Sequence, residues 1–537
     1  CAADKDYPLV DAQEVRARGG LPNFFLKAQT TGAELKIGYL GGSITAQNGW
    51  RVQTLAHFKK AYPQASFAEI NAAIGGTGSD LGVFRVKQDV LSHGPDLLFV
   101  EFAVNDGGAD PQRIIRCMEG IVRQTWKANP KTDICFVYTV TEALSGPMLE
   151  GKLQRSASAM EKVADFYGIP SITLGMEVAK LAKAGKLAWR AKLPKTDAAK
   201  AALGDKFVFA ADGVHPHDST GQVLYTQAIV RSLPALAIAN NSPTVHVSNL
   251  ALDPANLERA KLVPVTAAKL SAGLAPADMA TDAFAKGWSK RLPAMVKLTQ
   301  PGQSIEFKFK GTHCAVYDVV GPAGGMVAVT LDGKAQKPVQ RIDAYCTYAR
   351  LSTFLVGTDL PEGEHTVRLE LLADPIDKAA VLAKNKNKID KPERFAPLEF
   401  RPGGLLLVGA ERRKGHRRGA GQRDAAGLQH VAAVGDGQRG EGVAGLGRHH
   451  ALAGDHRFHQ PVLAGAGARP PGRLVAELGR VGHAGGMAGH AVVHGGWRGM
   501  RLDGWVRASA APAVDWLAGS WWLWCQAEVA VCTTDLG

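Results

Sequence analysis

The chain has 537 residues, which is more than one ordinary hydrophobic core needs and predicts at least two domains. Its 46% hydrophobic and 21% charged residues are typical of a globular protein, and no run of about 18 apolar residues predicts a membrane span. The formal charge of +13 comes from Lys and Arg spread along the chain without a stripe of basic and aromatic residues, so we expect no nucleic-acid partner.

The beginning of the chain bears on its location. Cys1-Ala2-Ala3-Asp4, followed by polar residues, resembles a bacterial lipoprotein after removal of its signal peptide. An arbitrary boundary would produce the same beginning. We expect an exported protein, periplasmic or extracellular, with lipidation of Cys1 as its only route to a membrane. Residues 1–33 are interpreted as an N-terminal segment.

Residues 34–240 alternate short apolar runs with segments of helical periodicity, a pattern typical of βα units and a parallel sheet. We predict an α/β domain of the flavodoxin-like three-layer class. The predicted strands are 35–40, 67–71, 97–102, 134–140 and 171–174, and the predicted helices are 51–62, 81–90, 111–128 and 149–166. Residues 181–205, rich in Lys and Ala, are interpreted as an insertion with a helical piece, which either shapes the substrate cleft or is a solvated excursion.

A different pattern begins after Asn241-Ser242-Pro243. Stretches of period two, such as 304–309, 326–331 and 363–371, predict strands, and Asp332-Gly333 predicts a hairpin turn. Residues 244–409 therefore predict a β-sandwich, similar to the jelly-roll modules of carbohydrate-active enzymes, for which carbohydrate binding is one role. Cys314 and Cys346 fall in this region and either form a disulfide or remain buried thiols; no cysteine spacing predicts a metal site.

Residues 410–537 have another composition. From residue 403 on there is no Ile, Asn or Tyr, while nine of the sixteen His and six of the ten Trp occur there. Such a composition supports no regular element and cannot easily bury a core. The abrupt change resembles translation of a GC-rich gene in a wrong frame, and a genuine disordered tail is the alternative.

Two glycine-rich segments follow predicted strands. Gly41-Gly42-Ser43-Ile44-Thr45 permits a tight turn that presents Ser43 at the carboxyl edge of a parallel strand, although a helix-capping Ser explains the same residues. In the segment 71–79, NAAIGGTGS, successive glycines allow backbone N–H groups to converge on an anion. The Gly-Lys-Ser/Thr ending of a phosphate loop is missing, so an oxyanion fits better than a nucleotide.

A third segment, 100–106, ends a buried strand on an amide and a carboxylate. Asn105 and Asp106 are residues that turns also favour. The Asn105 amide can donate to the same anion, and Glu101 and Asp106 would then be local supports.

The fourth segment is Asp212-Gly213-Val214-His215-Pro216. A carboxylate three residues before a histidine can orient the imidazole and stabilise its cation. A plain surface loop is the alternative. A metal site with His217 and Asp218 is disfavoured, because no further cluster supplies ligands.

Taken together and in this order, the four segments resemble the four sequence blocks of the SGNH (GDSL-like) hydrolase family, over about residues 34–235. By that resemblance Ser43 is the nucleophile, Asp212 and His215 complete a catalytic triad, and the backbone N–H groups of Ser43 and Gly76 form an oxyanion hole with the Asn105 amide. The resemblance implies no metal and no organic cofactor.

Two positions depart from the family pattern. Gly42 stands where the first block usually has Asp, and Ala103 stands where the third block usually has Gly. Neither change removes a reacting group. Gly76 is preferred over Gly75 and Gly78 because of its spacing within the block.

The resemblance implies a serine ester hydrolase that works through an acyl-enzyme. The attached β-sandwich and the expected export favour O-acetyl groups on a carbohydrate as the substrate. A lipid or small-ester hydrolase is the alternative, with Trp50 and Phe84 either lining an acyl pocket or belonging to the core. A non-catalytic glycan-binding lipoprotein is disfavoured, because every expected catalytic and oxyanion position is filled.

Overall fold

A computed structural model describes residues 7–409, which belong to one compact unit. Cys1 and the segment 410–537 lie outside the described residues. The predictions of lipidation at Cys1 and of a wrong reading frame or a disordered tail after residue 409 therefore remain predictions. No helix among residues 7–409 is both long and apolar enough to cross a membrane.

The first domain is built on a six-stranded sheet. Its strands in chain order are β1 (Val15–Arg16), β2 (Glu34–Gly41), β3 (Ser66–Ala73), β4 (Leu97–Glu101), β5 (Asp133–Tyr138) and β6 (Ser171–Thr173). They are ordered β1-β6-β5-β4-β2-β3, and only the edge strand β1 runs antiparallel to its neighbour. Without β1 this is the flavodoxin strand order. Every residue of β4 and β5 is buried, as expected where helices cover both faces of a parallel sheet.

Helices form the two outer layers. They are α1 (Pro22–Ala28), α2 (Ser43–Ala46), α3 (Trp50–Ala61), α4 (Ser79–Asp89), α5 (Pro111–Ala128), α6 (Gly146–Leu149), α7 (Arg155–Tyr167), α8 (Met176–Lys183), α9 (Asp197–Leu203) and α10 (Gly221–Ala239). Residues of α1, α3, α8 and α10 share one hydrophobic core, while α4, α5 and α7 share the core on the other face. The predicted flavodoxin-like three-layer fold is confirmed.

Two local features differ from the prediction. The predicted helix 149–166 is wrong at its start: α6 ends at Leu149, Gly151 has a φ of +80°, and α7 begins at Arg155. The segment before residue 34 also adds structure to this domain, since β1 extends the sheet and α1 packs Phe24 and Phe25 into its core.

The predicted insertion contains more than a helix. Besides α9 it carries β7 (Leu187–Arg190), which pairs in parallel with β8 (Phe207–Ala210). His217 Nε2 lies 2.9 Å from the Ala191 carbonyl oxygen, so the insertion contacts the loop that contains His215.

The second domain is rich in antiparallel strands. They are β9 (Ala260–Pro264), β10 (Lys269–Leu270), β11 (Ser304–Val320), β12 (Met326–Leu331), β13 (Lys334–Ala335), β14 (Val339–Gln340), β15 (Arg350–Gly357), β16 (Gly363–Leu371) and β17 (Pro402–Gly409). The first half of β11 pairs with β10 and β16, and its second half pairs with β15 and β17. Apolar side chains from both halves share one core, as in the predicted sandwich.

The sequence signals in this domain have clear counterparts. Asp332 and Gly333 both have positive φ, 51° and 74°, and link β12 to β13 as the predicted hairpin turn. Cys314 and Cys346 are free buried thiols in separate hydrophobic clusters.

The two domains share a hydrophobic core. Side chains on the outer face of β11 and β17 pack in one cluster with α4 and α5: Ala315, Tyr317, Val319, Leu406 and Val408. Phe84 of α4 stacks on His313 with 5.5 Å between the ring centroids. Because this contact is apolar and continuous, we expect the second domain to hold a fixed position on the first.

Candidate active site

Three of the four motif segments meet at the carboxyl edge of the sheet. The order β4-β2-β3 makes β2 the neighbour of both other strands, and the segments with Ser43, Gly76 and Asn105 follow β2, β3 and β4. This is the topological switch point of the sheet, where open α/β folds bind their ligands. The loop 212–216, which follows β8, brings in the fourth segment.

A chain of hydrogen bonds joins Ser43, His215 and Asp212. Ser43 Oγ lies 2.8 Å from His215 Nε2, and His215 Nδ1 lies 2.7 Å from Asp212 Oδ2. Asp212 Oδ1 also accepts the backbone N–H groups of Val214 and His215, at 2.9 and 2.8 Å. The carboxylate therefore holds both the loop and the ring, with Nε2 turned toward the serine.

Asp212 is a strongly acidic group. Burial alone would raise its pKa, but hydrogen bonds from the His215 ring and from two backbone N–H groups outweigh burial and lower the pKa to about 2. The side chains of Asp212 and His215 are nevertheless 52% and 41% exposed. The triad geometry thus occurs in an open site that large molecules can approach.

Three candidate hydrogen-bond donors are carried by the loops that meet at Ser43. Ser43 is the first residue of α2, so its backbone N–H has no acceptor within that helix. Gly76 is exposed at a φ of +72°, and a Cβ on its neighbour Gly75 would lie only 3.5 Å from Ser43 Cβ. Within residues 7–409 the Asn105 amide has no hydrogen-bond partner. These donors can serve an anion that forms beside Ser43.

Glu101 lies beneath the Ser43 turn. Its buried carboxylate accepts the hydroxyl protons of Thr45 and Thr139, at 2.8 and 2.6 Å, and the backbone N–H of Gly42. Burial raises the pKa of Glu101, and these three donors partly offset that effect. The contacts agree with its expected role as a local support, although no sequence signal singled out Thr45 or Thr139.

Asp106 supports the next loop. Its Oδ1 accepts the backbone N–H of Ser79 at 3.0 Å, where α4 begins. Burial raises the pKa of Asp106 to about 7, despite the hydrogen bonds from Ser79.

Two arginines that sequence reasoning missed hold the strand ends. Arg85, fully buried on α4, donates to the carbonyl oxygens of Ala72 and Gly41. Arg291, which follows the second domain's first strands, donates to the Ala73 carbonyl at 2.6 Å. An arginine on the apolar side of α4 was a usable signal for Arg85, whereas nothing near Arg291 in the sequence pointed to the site.

Comparison with known proteins identifies the first domain. Residues 39–222 match the model of the GDSL-like lipase/acylhydrolase family, a range that contains all four segments. This domain belongs to that family. The chain is accordingly an ester hydrolase. No curated protein matched it.

Solved structures similar to the whole described chain have two domains as well. A two-domain esterase active on acetylated mannans, co-crystallised with mannopentaose, is 20% identical, with a TM-score of 0.58 and coverage of 76% of this chain and 100% of that one. The same kind of esterase without that sugar is 19% identical, with a TM-score of 0.57 and coverage of 74% and 98%. At such identity the likeness establishes the fold alone.

The structure also shows where the remaining candidate residues of the GDSL-like domain lie. Trp50 and Phe84 are both buried in hydrophobic cores, so neither lines an acyl pocket. Among residues 7–409 no group of three or more His, Cys, Asp or Glu side chains could hold a metal ion.

The first departure from the family pattern has a steric reason. A Cβ on Gly42 would lie 1.9 Å from Asn105 Oδ1, because the Asn105 side chain occupies the space beside the turn. Ala103, the second departure, has no positive φ and therefore tolerates its Cβ.

We expect Gly42→Asp, which restores the usual family residue, to lower activity. The new side chain would push the Asn105 amide out of place, and loss of one oxyanion donor lowers kcat by about 10²- to 10³-fold. Aryl acetate kinetics measure the effect. Gly108→Ala is the control, since Gly108 lies in the same loop as Asn105 and an added Cβ there meets open space. Full activity of Gly42→Asp would contradict the assigned position of Asn105.

Gly213 offers a test of the catalytic loop. Its φ is +76°, and an added Cβ would lie 2.7 Å from Glu142 Oε2 and 3.0 Å from Arg190 Nε, two side chains that form an ion pair beside the loop. We expect Gly213→Ala to displace His215 and to reduce kcat by about 10²-fold, since a small misplacement of a catalytic group has effects of that size.

A matched variant separates crowding from backbone strain. Gly151 has a φ of +80° but open space around its Cβ position, so Gly151→Ala should lose about 1–2 kcal/mol of stability and no activity. Equal kcat values for the two variants would show that Gly213 is not needed to position the loop.

Proposed function

We propose that this chain removes O-acetyl groups from a carbohydrate through Ser43, His215 and Asp212. His215 Nε2 takes the Ser43 proton as Oγ bonds to the acetyl carbon, and the carbonyl oxygen becomes an oxyanion. The bond to the sugar oxygen then breaks, and that oxygen takes the proton from His215. Water, deprotonated by the same ring, attacks the acetyl-enzyme and releases acetate and Ser43.

The hydrogen-bonded chain from Ser43 Oγ to Asp212 is the observation that carries this proposal. It supplies a nucleophile, a base and an orienting carboxylate in the order that acyl transfer needs. The backbone N–H groups of Ser43 and Gly76 and the Asn105 amide are proposed to stabilise the oxyanion.

Two observations support a carbohydrate as the substrate. The His215 and Asp212 side chains are exposed, which leaves room for a polymer at the site. Trp50 and Phe84 are buried in the hydrophobic cores, so they do not line an enclosed pocket for a long acyl chain. In addition, the two-domain proteins of the same fold are esterases active on acetylated mannans.

Acetate release by the full chain tests the proposal. The substrates are an acetylated polysaccharide, an aryl acetate and a long-chain aryl ester. We expect hydrolysis of the first two and a clear preference for acetyl over long acyl groups. A preference for long acyl esters would replace the carbohydrate by a lipid, and no hydrolysis of any ester would favour a glycan-binding protein.

A further inference from the structure

A narrow crevice of about 100 Å³ lies between the two domains, beside the loop that contains Gly76. One wall is formed by Gly76, Thr77, Gly78, Asp80 and Leu81 of the GDSL-like domain, and the other by Leu351, Ser352 and Thr353 of β15. Gly75, the residue before Gly76, lies beside Ser43, so the loop that lines this crevice also passes next to the serine.

The wall from the second domain has a fixed position. Leu351 packs against the hydrophobic core that the two domains share, and Phe84 and His313 stack in the same contact. Burial, followed by the charge of Arg113, lowers the pKa of His313 to about 4, so this ring stays neutral and apolar contacts persist at neutral pH. The crevice is therefore part of the folded structure.

The strand β15 presents polar groups to the crevice. Phe354 and Val356 point into the core of the second domain, so alternation directs Leu351 and Thr353 to the opposite face, toward the GDSL-like domain. Val319, which is opposite Leu351, donates its N–H to the Arg401 carbonyl on the far side. Val319 and Leu351 are therefore a non-hydrogen-bonded pair of the antiparallel ladder, in which each residue directs its N–H and C=O away from the other. The N–H and C=O of Leu351 thus point away from β11, toward the outer edge of β15.

The lining chemistry favours a neutral, hydroxyl-rich ligand. Asp80 Oδ1 accepts the N–H of Leu81, and Oδ2 lies 3.4 Å from an Arg113 nitrogen, which leaves the half-exposed carboxylate able to accept further hydroxyl protons. Thr353 and the strand edge supply donors and acceptors, and Leu351 supplies an apolar surface. A carboxylate in the wall disfavours an anionic ligand, and the polar lining disfavours a lipid chain.

We infer that this crevice is a sugar subsite, in which β15 binds a ring of the glycan next to the acetylated residue. The inference rests on the proposed function, because it takes the alcohol part of the ester to be a glycan. It assigns Thr353 and Asp80 to substrate specificity, and it makes the second domain part of the active site.

Thr353 variants of the full chain test this subsite. Thr353→Trp should fill the crevice and lower kcat/KM for an acetylated oligosaccharide by about tenfold or more, mainly through KM, as expected when binding contacts are lost. Thr353→Val, which keeps the shape and removes the hydroxyl, should raise KM by about two- to fivefold. For aryl acetate, which is too small to reach β15, kcat/KM should stay within about twofold.

Leu355→Trp is the matched control. Leu355 lies on the same face of β15 but outside the crevice and is already exposed, so this variant should leave both substrates unaffected. Equal losses on both substrates, or no loss on the oligosaccharide with Thr353→Trp, would overturn the subsite.

The outcome for the unmodified chain separates the two proposals. If it hydrolyses aryl acetate but no acetylated glycan, the proposed substrate fails and the subsite fails with it. If it hydrolyses both and the Thr353 variants behave as Leu355→Trp does, only the subsite fails. Calorimetric binding of a deacetylated oligosaccharide to Ser43→Ala, with and without Thr353→Val, gives a readout that is independent of turnover, and the affinity should fall with the second change.

Discussion

Ser43→Ala is expected to lower kcat for aryl acetate by about 10⁴- to 10⁶-fold, because within residues 7–409 no other hydroxyl is hydrogen-bonded to His215. The 2.8 Å contact between Ser43 Oγ and His215 Nε2 makes the two side chains act as a unit. His215→Ala should therefore cause a similar loss, and the double variant should be little worse than either single one.

Ser219→Ala is the control for this prediction, since Ser219 is an exposed residue close to the same loop. It should retain full activity. Unchanged hydrolysis by Ser43→Ala, or additive losses in the double variant, would show that the two residues do not form one catalytic unit. Thermal unfolding of each variant verifies that the fold is retained.

Asp212→Asn is expected to lower kcat by about 10²- to 10⁴-fold with little change in KM. An amide cannot hold the Nδ1 proton of His215 as a carboxylate does, and it cannot stabilise the imidazolium that forms during the reaction. Asp332→Asn is a close control, because His365 Nδ1 lies 2.7 Å from Asp332 Oδ2 in a similar pair, with no serine beyond it. That variant should change stability and leave kcat unaffected.

The pH profile provides a second readout for Asp212. Its pKa of about 2 keeps the carboxylate charged throughout the usual assay range, so Asp212 should contribute no ionisation to the kcat/KM profile there. The depressed pKa also means that its contribution to stability is present above about pH 4 and is lost as the pH falls toward 2. A second acid ionisation between about pH 4 and 6 in the wild-type profile, absent from Asp212→Asn, would contradict this assignment.

The strand-loop units of the GDSL-like domain could be predicted from local patterns. The strands 35–40 and 97–102 carry continuous apolar runs because helices cover both faces of the sheet, and the structure has β2 and β4 there. The start of α7 could not be predicted in the same way, since the apolar periodicity continues through α6, and only the positive φ of Gly151 breaks it.

The four motif segments were also predictable, because each one places a reacting residue type within a few residues of a strand end. The contacts among them depend on strand order. Ser43, Asn105 and Gly76 converge because β2 lies between β4 and β3, an arrangement that no local pattern contains. The same holds for Gly42, whose missing side chain is explained only by the position of Asn105 across the sheet.

The sequence by itself therefore determined the class of fold, the candidate site residues and the two-part architecture, because secondary structure and motif chemistry follow from the spacing of residues along the chain. Only the tertiary structure decided that two threonine hydroxyls donate to Glu101, that Arg291 holds the end of β3, and that β15 faces the loop that contains Gly76. These contacts join residues that are many positions apart, and they form only when the apolar faces of separate elements, and for Arg291 and β15 of separate domains, pack together.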